Sequence, residues 1–350
     1  MHTLSIAKRL ASLLLCLSAF ITTQAQHIGS DSLINTDTVP DGIFFRISGG
    51  DLAEPSYILG TLHTIPGDYV HHIPHFNEAV ASVRQFIFEG DLMQKMRQDF
   101  AFTQFDSVTN AFIKARQDSL YRYDNPDSLH NPYIEDMEPG LYKLVRSTMA
   151  DTFGLPEFYK YTVFENMERL QKRLSVLIKE TVAQQGFPLQ STLPLDLFIA
   201  DSIARPRGAD ILELDTTSVL NLDSFLIQFV ADEKAGKYDR KYYSTTFLPN
   251  GVFMNWLLLY ATQRYCASYF RHEARKLIEE NNGQLEQKIF VERNAQWMRR
   301  LPVMLHRAPS MVVVGLLHLH DRSTTPGLLS SLKTLGYTIE ALASPTTHRP

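Results

Sequence analysis

Two histidines stand in the same short pattern far apart in the chain, Gly60-Thr61-Leu62-His63 and Gly315-Leu316-Leu317-His318. Each follows an apolar run, Tyr57-Ile58-Leu59 in the first case and Met311-Val312-Val313-Val314 in the second. Such a run reads as a buried strand. A glycine at its carboxyl end permits a sharp turn and lets another group approach the backbone closely. The histidine then lands just past the strand, where open α/β sheets gather their ligand-binding groups, and imidazole there can act as metal ligand or proton carrier. A lone GxxH recurs by chance; two of them at strand ends could meet in one pocket.

Carboxylates fall in matching places. Phe86-Ile87-Phe88 is a short apolar run suited to a buried strand and stops at Glu89; Ile211-Leu212 is a briefer one that stops at Glu213. His63, His318 and Glu89 make a two-histidine, one-carboxylate set that leaves coordination positions open for water and substrate. A metal held there lowers the pKa of bound water and polarises an amide carbonyl. Glu213 has three readings: another ligand, a partner that fixes a histidine tautomer, or a structural acid at a helix start near Thr216. The spacing predicts a helix through Arg293 and Asn294, where residues three and four apart share a face. Phe290, Arg293, Asn294, Trp297 and Leu301 then form one stripe. The Arg293 fork suits a substrate carboxylate or a developing oxyanion; the plainer reading is a surface arginine beside a core tryptophan. His71, His72 and His75 could bind metal as a histidine-rich tract, but Pro66-Gly67 and Pro74 around them point to an exposed loop running into a helix. The chain has no HExxH, no GxSxG, no glycine-rich phosphate loop and no paired-cysteine zinc pattern, which leaves hydride transfer, kinase chemistry and serine hydrolysis without support.

The elements that must position these residues alternate. Ile43 to Ile47 and Tyr57 to Leu59 suggest a strand hairpin across Gly49-Gly50-Asp51 and Pro55. A helix follows from His75 to Val83, then the Phe86 strand. From Leu92 to about Gln185 the pattern is mainly helical, broken by Asn125-Pro126, Asn131-Pro132 and Pro139-Gly140. Its many aromatics, among them Tyr121, Tyr142, Phe158 and Phe164, read first as helix packing and second as a cap lining a cleft. A helix resumes from Leu193 to Ala204, and long helices are expected in much of 216–308. The last strands are Met311 to Val314 and Tyr337 to Leu342, with a short helix from Pro326 to Leu335 between them. The expectation is an α/β (or α+β) fold. Its central mixed β-sheet is flanked by helices and carries large helical insertions at about 92–190 and 216–308, all within one domain, 43–350.

The composition, 44% hydrophobic and 21% charged, is that of a globular protein with a sizeable core. Residues 1–25 stand apart. Lys8 and Arg9 precede an apolar run from Leu10 to Ile21, and Thr23-Gln24-Ala25 ends in a small residue, as in a cleaved export signal; the run is short for a membrane span. Residues 26–42 read as a flexible leader. Loss of Lys8 and Arg9 with the signal takes the formal net charge from −4 to −6, and no basic footprint for nucleic acid is left. Of the two cysteines, Cys16 lies in the signal, preceded by Leu15 rather than the small residue a lipoprotein signal favours. Cys266 then stands alone, so no intrachain disulfide forms in an oxidising compartment.

In order along the chain, Ser56 to His63, Phe88-Glu89, Leu195-Asp196 with Ala200, Leu212-Glu213, Glu292-Arg293-Asn294 with Trp297, Val314 to Leu319 and Gly336-Tyr337 resemble the TraB/GumN family, which includes the TIKI proteins of animals. The resemblance covers roughly Ile43 to the end. It implies metal-dependent proteolysis, as described for animal members, or inactivation of peptide pheromones, as linked to bacterial ones. Two departures from the family pattern stand out: Leu316-Leu317 stands where relatives often have smaller residues, and His320 where a glycine is frequent. A crowded pocket or an extra ligand are the consequences to look for.

The expectation is thus an exported, periplasmic or secreted hydrolase that cleaves peptides or proteins. It would use a divalent metal (Mn, Co or Zn), with His63, Glu89 and His318 as ligands, Glu213 in reserve, and Arg293 and Asn294 in the catalytic set. A non-catalytic envelope protein that sequesters a peptide, haem or metal in the same cleft is the alternative, and a purely structural envelope protein a distant third. The two histidines should converge at the carboxyl ends of neighbouring strands, with Glu89 beside them and Arg293 reaching in from its helix.

Overall fold

The computed structural model describes residues 39–90, 111–112, 115–116, 119–121, 131–215, 228–229, 231–279, 290–322 and 326–343. The stretch read as an export signal and most of that read as a leader lie outside them, as does Thr216.

Six strands form one mixed sheet: β1 (Phe44–Gly49), β2 (Ser56–Thr61), β3 (Gln85–Phe88), β4 (Asp210–Glu213), β5 (Ser310–Gly315) and β6 (Tyr337–Ala343), in the order β4-β3-β5-β2-β1-β6. The first four in that order run parallel, and β1 is antiparallel to both neighbours. The sequence explains the arrangement. β3 and β5 are unbroken apolar runs because both of their faces are covered, with Phe86, Ile87, Phe88, Met311 and Val312 wholly buried; central parallel strands have this character. At the edge, β6 alternates buried Tyr337 and Ile339 with exposed Thr338 and Glu340, the pattern of a strand covered on one face. The antiparallel β1–β2 pair is the expected hairpin, with Asp51 at φ 61° in its connection. Helices Phe76–Ser82 and Leu328–Thr334 bring Phe76, Leu328, Leu329 and Leu332 into the core.

The chain divides into two compact units: residues 1–92, 178–218 and 261–350, which include the sheet, and residues 93–177 and 219–260. Inside the second unit aromatics pack on one another, with Tyr121 against Tyr133, Tyr133 against Phe158 and Phe164 against Tyr243. Its buried Glu233 is paired with Arg116 and accepts a hydrogen bond from Tyr243. No helix of the described residues is long and apolar enough to cross a membrane.

Candidate active site

Each of the four parallel strands delivers one polar side chain just beyond its carboxyl end: His63 after β2, Glu89 after β3, Asp215 after β4 and His318 after β5. Gly315 shows that three of these share one space. A Cβ placed on it would lie 2.9 Å from Glu89 Oε1, 3.6 Å from His318 Cδ2 and 3.8 Å from His63 Nε2. The Gly315 N–H donates to Glu89 Oε1. The turn expected of this glycine is not what requires it. Gly315 has an ordinary φ of −57°, and Gly60 is likewise outside the positive-φ set. Room is the constraint: Cβ atoms at 60 and 315 would meet the Leu316 side chain and the Glu89 carboxylate.

Both imidazoles are held through Nδ1. His63 Nδ1 lies 2.9 Å from Asp196 Oδ2; Asp196 comes from the helix Leu195–Phe198, and its other oxygen accepts from the Leu197 N–H. The Asp196 segment is stitched to the chain just after His63: Gly67 N donates to Leu193 O, and Asp68 Oδ2 accepts from the N–H groups of Gln190 and Ser191. His318 Nδ1 is 2.7 Å from Asn294 Oδ1. Asn294 Nδ2 donates to the carbonyls of His318 and Pro326, which turns its acceptor oxygen toward the ring. An acceptor-only oxygen at Nδ1 means that Nδ1 carries the proton and Nε2 the lone pair. His318 is 3% exposed, between the rings of Trp297 at 4.4 Å and Phe290 at 4.8 Å. Burial pushes its pKa down from the usual 6.5 to about 3, with Arg293 adding to the effect and Glu89 opposing it; the ring is neutral at ordinary pH. His63, by contrast, has a side chain 53% exposed, the open side of the site.

The helix Glu292–Trp297 supplies the cation. Arg293 Nη2 donates to Glu89 Oε2 at 2.9 Å and to Asp215 Oδ2 at 2.9 Å, and Nη1 lies 3.4 Å from His318 Nε2. Its guanidinium carbon stands 4.5 Å from the centroid of the Trp297 ring, whose indole N–H donates to Asp215 Oδ1 at 2.6 Å. Burial disfavours the charge of Arg293, but Glu89 and Asp215 outweigh it and hold its pKa above the ordinary value.

The structure thus brings together His63, Glu89, His318, Arg293 and Asn294, and the stripe of Phe290, Arg293, Asn294 and Trp297 read from helical spacing faces His318. Glu213 stays out: among the described residues its side chain joins none of the site's hydrogen bonds or ion pairs, and the carboxylate that the β4 end contributes is Asp215. The ladder between β3 and β4 continues past Glu213 through Leu214 N to Phe88 O and Asp215 N to Glu89 O. Side chains two apart along an extended chain share a face, so Asp215 could have been weighed beside Glu213. Asp196 was visible as a family mark but carried no role. The extra-ligand prospect for His320 gives way to a packing role, since its Nε2 meets the Gly42 carbonyl at 2.9 Å and its ring packs against Phe45. Leu316 does crowd the space over Gly60. His71, His72 and His75 are exposed, on and after a short 3-10 helix, Gly67–His72, rather than a loop.

Whether these residues suit a divalent cation is a question of donors. Nδ1 anchoring puts the lone pair of each ring on Nε2, the nitrogen a metal would take, although on His318 Arg293 Nη1 faces it at 3.4 Å. Glu89 and Asp215 both pair with the guanidinium of Arg293, and Asp196 pairs with His63, so carboxylate oxygens stand beside both imidazoles as hard donors suited to a divalent cation. The donor set fits. As the side chains stand, though, among the described residues no three His, Cys, Asp or Glu groups are close enough together to hold a metal ion; Arg293 lies along the edge between Glu89 and His318.

Fold and site together define an α/β protein with a paired-histidine, carboxylate and arginine cluster at the carboxyl ends of parallel strands. The chain belongs to the TraB/PrgY/gumN family, whose pattern matches residues 43–341. Comparison with curated proteins and with solved structures gave no match.

Proposed function

We propose that this is an exported, metal-dependent hydrolase that cleaves peptides or proteins. One observation carries the reading: two histidines from neighbouring strands far apart in sequence, each with Nδ1 fixed by an oxygen acceptor, share the space over Gly315 with the Glu89 carboxylate. His63, His318 and Glu89 would hold a divalent ion such as Mn²⁺, Co²⁺ or Zn²⁺, which supplies an activated water and polarises a scissile carbonyl. Asp196 and Asn294 hold the imidazoles in the tautomer that presents Nε2. Arg293 carries a fixed positive charge beside the reacting groups, suited to a carbonyl oxygen that gains charge. Glu89 would hold the ion and offers a carboxylate beside it to take a proton. The exposed flank of His63 leaves a path for an extended chain. Export is supported by the charged and apolar pattern of residues 1–25.

The test is a peptide library presented to the mature protein with Mn²⁺, Co²⁺ or Zn²⁺. Cleavage should disappear on chelation and in His63→Ala with the fold intact, and the protein recovered from an exporting host should lack its first 25 residues. Cleavage that survives both treatments would falsify the metal-dependent reading. Of a non-catalytic protein that sequesters a peptide, haem or metal, the peptide form is favoured by one observation, the guanidinium already resting near His318 Nε2; saturable peptide binding without product by mass spectrometry would select it.

A further inference from the structure

The imidazole nitrogen that the proposed metal needs is already engaged. A neutral imidazole has a single lone pair on its unprotonated nitrogen. In His318 that nitrogen is Nε2, because Nδ1–H is committed to Asn294 Oδ1, and Arg293 Nη1 faces it at 3.4 Å. One lone pair cannot accept from Arg293 and bind a metal at the same time. The same guanidinium also bridges Glu89 Oε2, so it spans two of the three proposed ligands as a resident cation.

We propose that Arg293 and the divalent ion compete for His318 Nε2 and Glu89, and that Asp215, with Trp297, is the positioning group that keeps the guanidinium in the pocket when the metal displaces it. The distances order the contacts. Arg293 to His318 is the longest of the Nη contacts, at 3.4 Å, whereas Nη2 to Asp215 is 2.9 Å. Asp215 is itself pinned by the Trp297 indole at 2.6 Å, and Trp297 is fully buried. Its carboxylate is 12% exposed, so solvent weakens this pair little. A second carboxylate at this point offers the displaced cation a partner at no cost in desolvation. Released from His318 but still tied to Asp215, Arg293 remains beside the reacting groups, the location its role in hydrolysis requires.

This inference rests on the proposed metal site, and the experiment separates the two. Calorimetric titration of the full mature protein with MnCl₂, CoCl₂ or ZnCl₂ reads affinity directly, and Co²⁺ absorption reports the ligand set. Arg293→Met should bind about tenfold more tightly than wild type. Arg293→Lys, which keeps the charge but not the fork that bridges several partners, should also bind more tightly and guards against a folding defect in the first variant. Asp215→Asn should bind about tenfold more weakly, because the guanidinium then has only Glu89 and His318. In the Arg293→Met background the same Asp215 change should have little effect, which a general loss of negative charge would not produce. Metal binding that is unchanged or weaker in both Arg293 variants overturns the competition while leaving the metal site standing. An Asp215→Asn effect of equal size in both backgrounds overturns the positioning role. If no form binds any of the three ions, the competition and the metal-dependent reading fall together.

Discussion

The tautomer of His318 rests on one amide. Asn294 offers its oxygen to Nδ1 and its nitrogen to two carbonyls, so the site is set by a residue that never needs to touch a ligand. Asn294→Leu removes the acceptor and leaves a buried ring N–H unpaired, a cost of roughly 1–3 kcal/mol. It also frees the proton to move to Nε2. Metal affinity should then fall by roughly 10 to 100-fold, the usual loss when a histidine's outer partner is removed, whereas Asn294→Asp, which keeps the acceptor, should retain most of it. Calorimetry on both variants decides the matter; equal losses would show that the amide only packs. At this scale the sequence was informative where residue type limits the options. A histidine or arginine beside a strand end or on an apolar helical face has few bland explanations, and His63, His318, Glu89, Arg293 and Asn294 all reach the cluster. Asp196 and Asp215 were harder to see. An aspartate near a helix start or after a strand is an ordinary cap or turn residue, and only the three-dimensional partners reveal more.

Among the elements, the parallel strands do the positioning, and the two GxxH glycines act through space rather than through turn geometry. Gly315→Ala would put a Cβ 2.9 Å from Glu89 Oε1, on an oxygen that also accepts the Gly315 N–H. Glu89 is held on its other side by Arg293 and has little room to yield. Gly60→Ala would instead meet Leu316, 2.5 Å from Cδ1 and 3.1 Å from the backbone Cα, in the packing between β2 and β5. Both changes should destabilise by about 1–3 kcal/mol through overpacking. Only the Gly315 change should also reduce divalent binding beyond that effect. Urea unfolding and metal titration of the two proteins compare these outcomes, and matched losses of binding would mean that Gly315 has no special relation to the acid. Strand positions were legible because two-sided burial demands unbroken apolar runs, as in Phe86-Ile87-Phe88 and Met311 to Val314. Strand ends were less so. Hydrogen bonding past Glu213 carries the β4 end on to Asp215, and no local feature of Leu212-Glu213-Leu214-Asp215 marks which acid turns toward the histidines. One boundary between the two units falls inside a continuous helix, Leu248–Phe270, where no local sequence feature marks it.

For the molecule as a whole, burying a neutral histidine makes folding depend on pH. His318 titrates in the folded, metal-free protein at about 3 against 6.5 for the ordinary group, chiefly because burial disfavours the charged ring. Between those values the unfolded chain binds a proton that the folded chain refuses. Stability therefore rises with pH across the window: it is undiminished above about 6.5 and falls progressively as the pH is lowered toward 3. A single proton sets a limiting slope of about 1.4 kcal/mol per pH unit. Carboxylates whose pKa values are depressed, such as Glu273 beside Arg271 and Asp232 beside Lys237, lose stability in the same direction, but only as the pH passes through the lower carboxylate range. The contribution of His318 is isolated by difference. Urea midpoints of the chelator-treated wild type and of His318→Gln should diverge most near neutral pH and draw together between pH 6.5 and 4, because the variant has no imidazole to protonate on unfolding. Parallel curves over that interval would mean that the folded protein accepts the proton on His318 as readily as the unfolded chain does, and that the ring is not held neutral between Trp297 and Phe290.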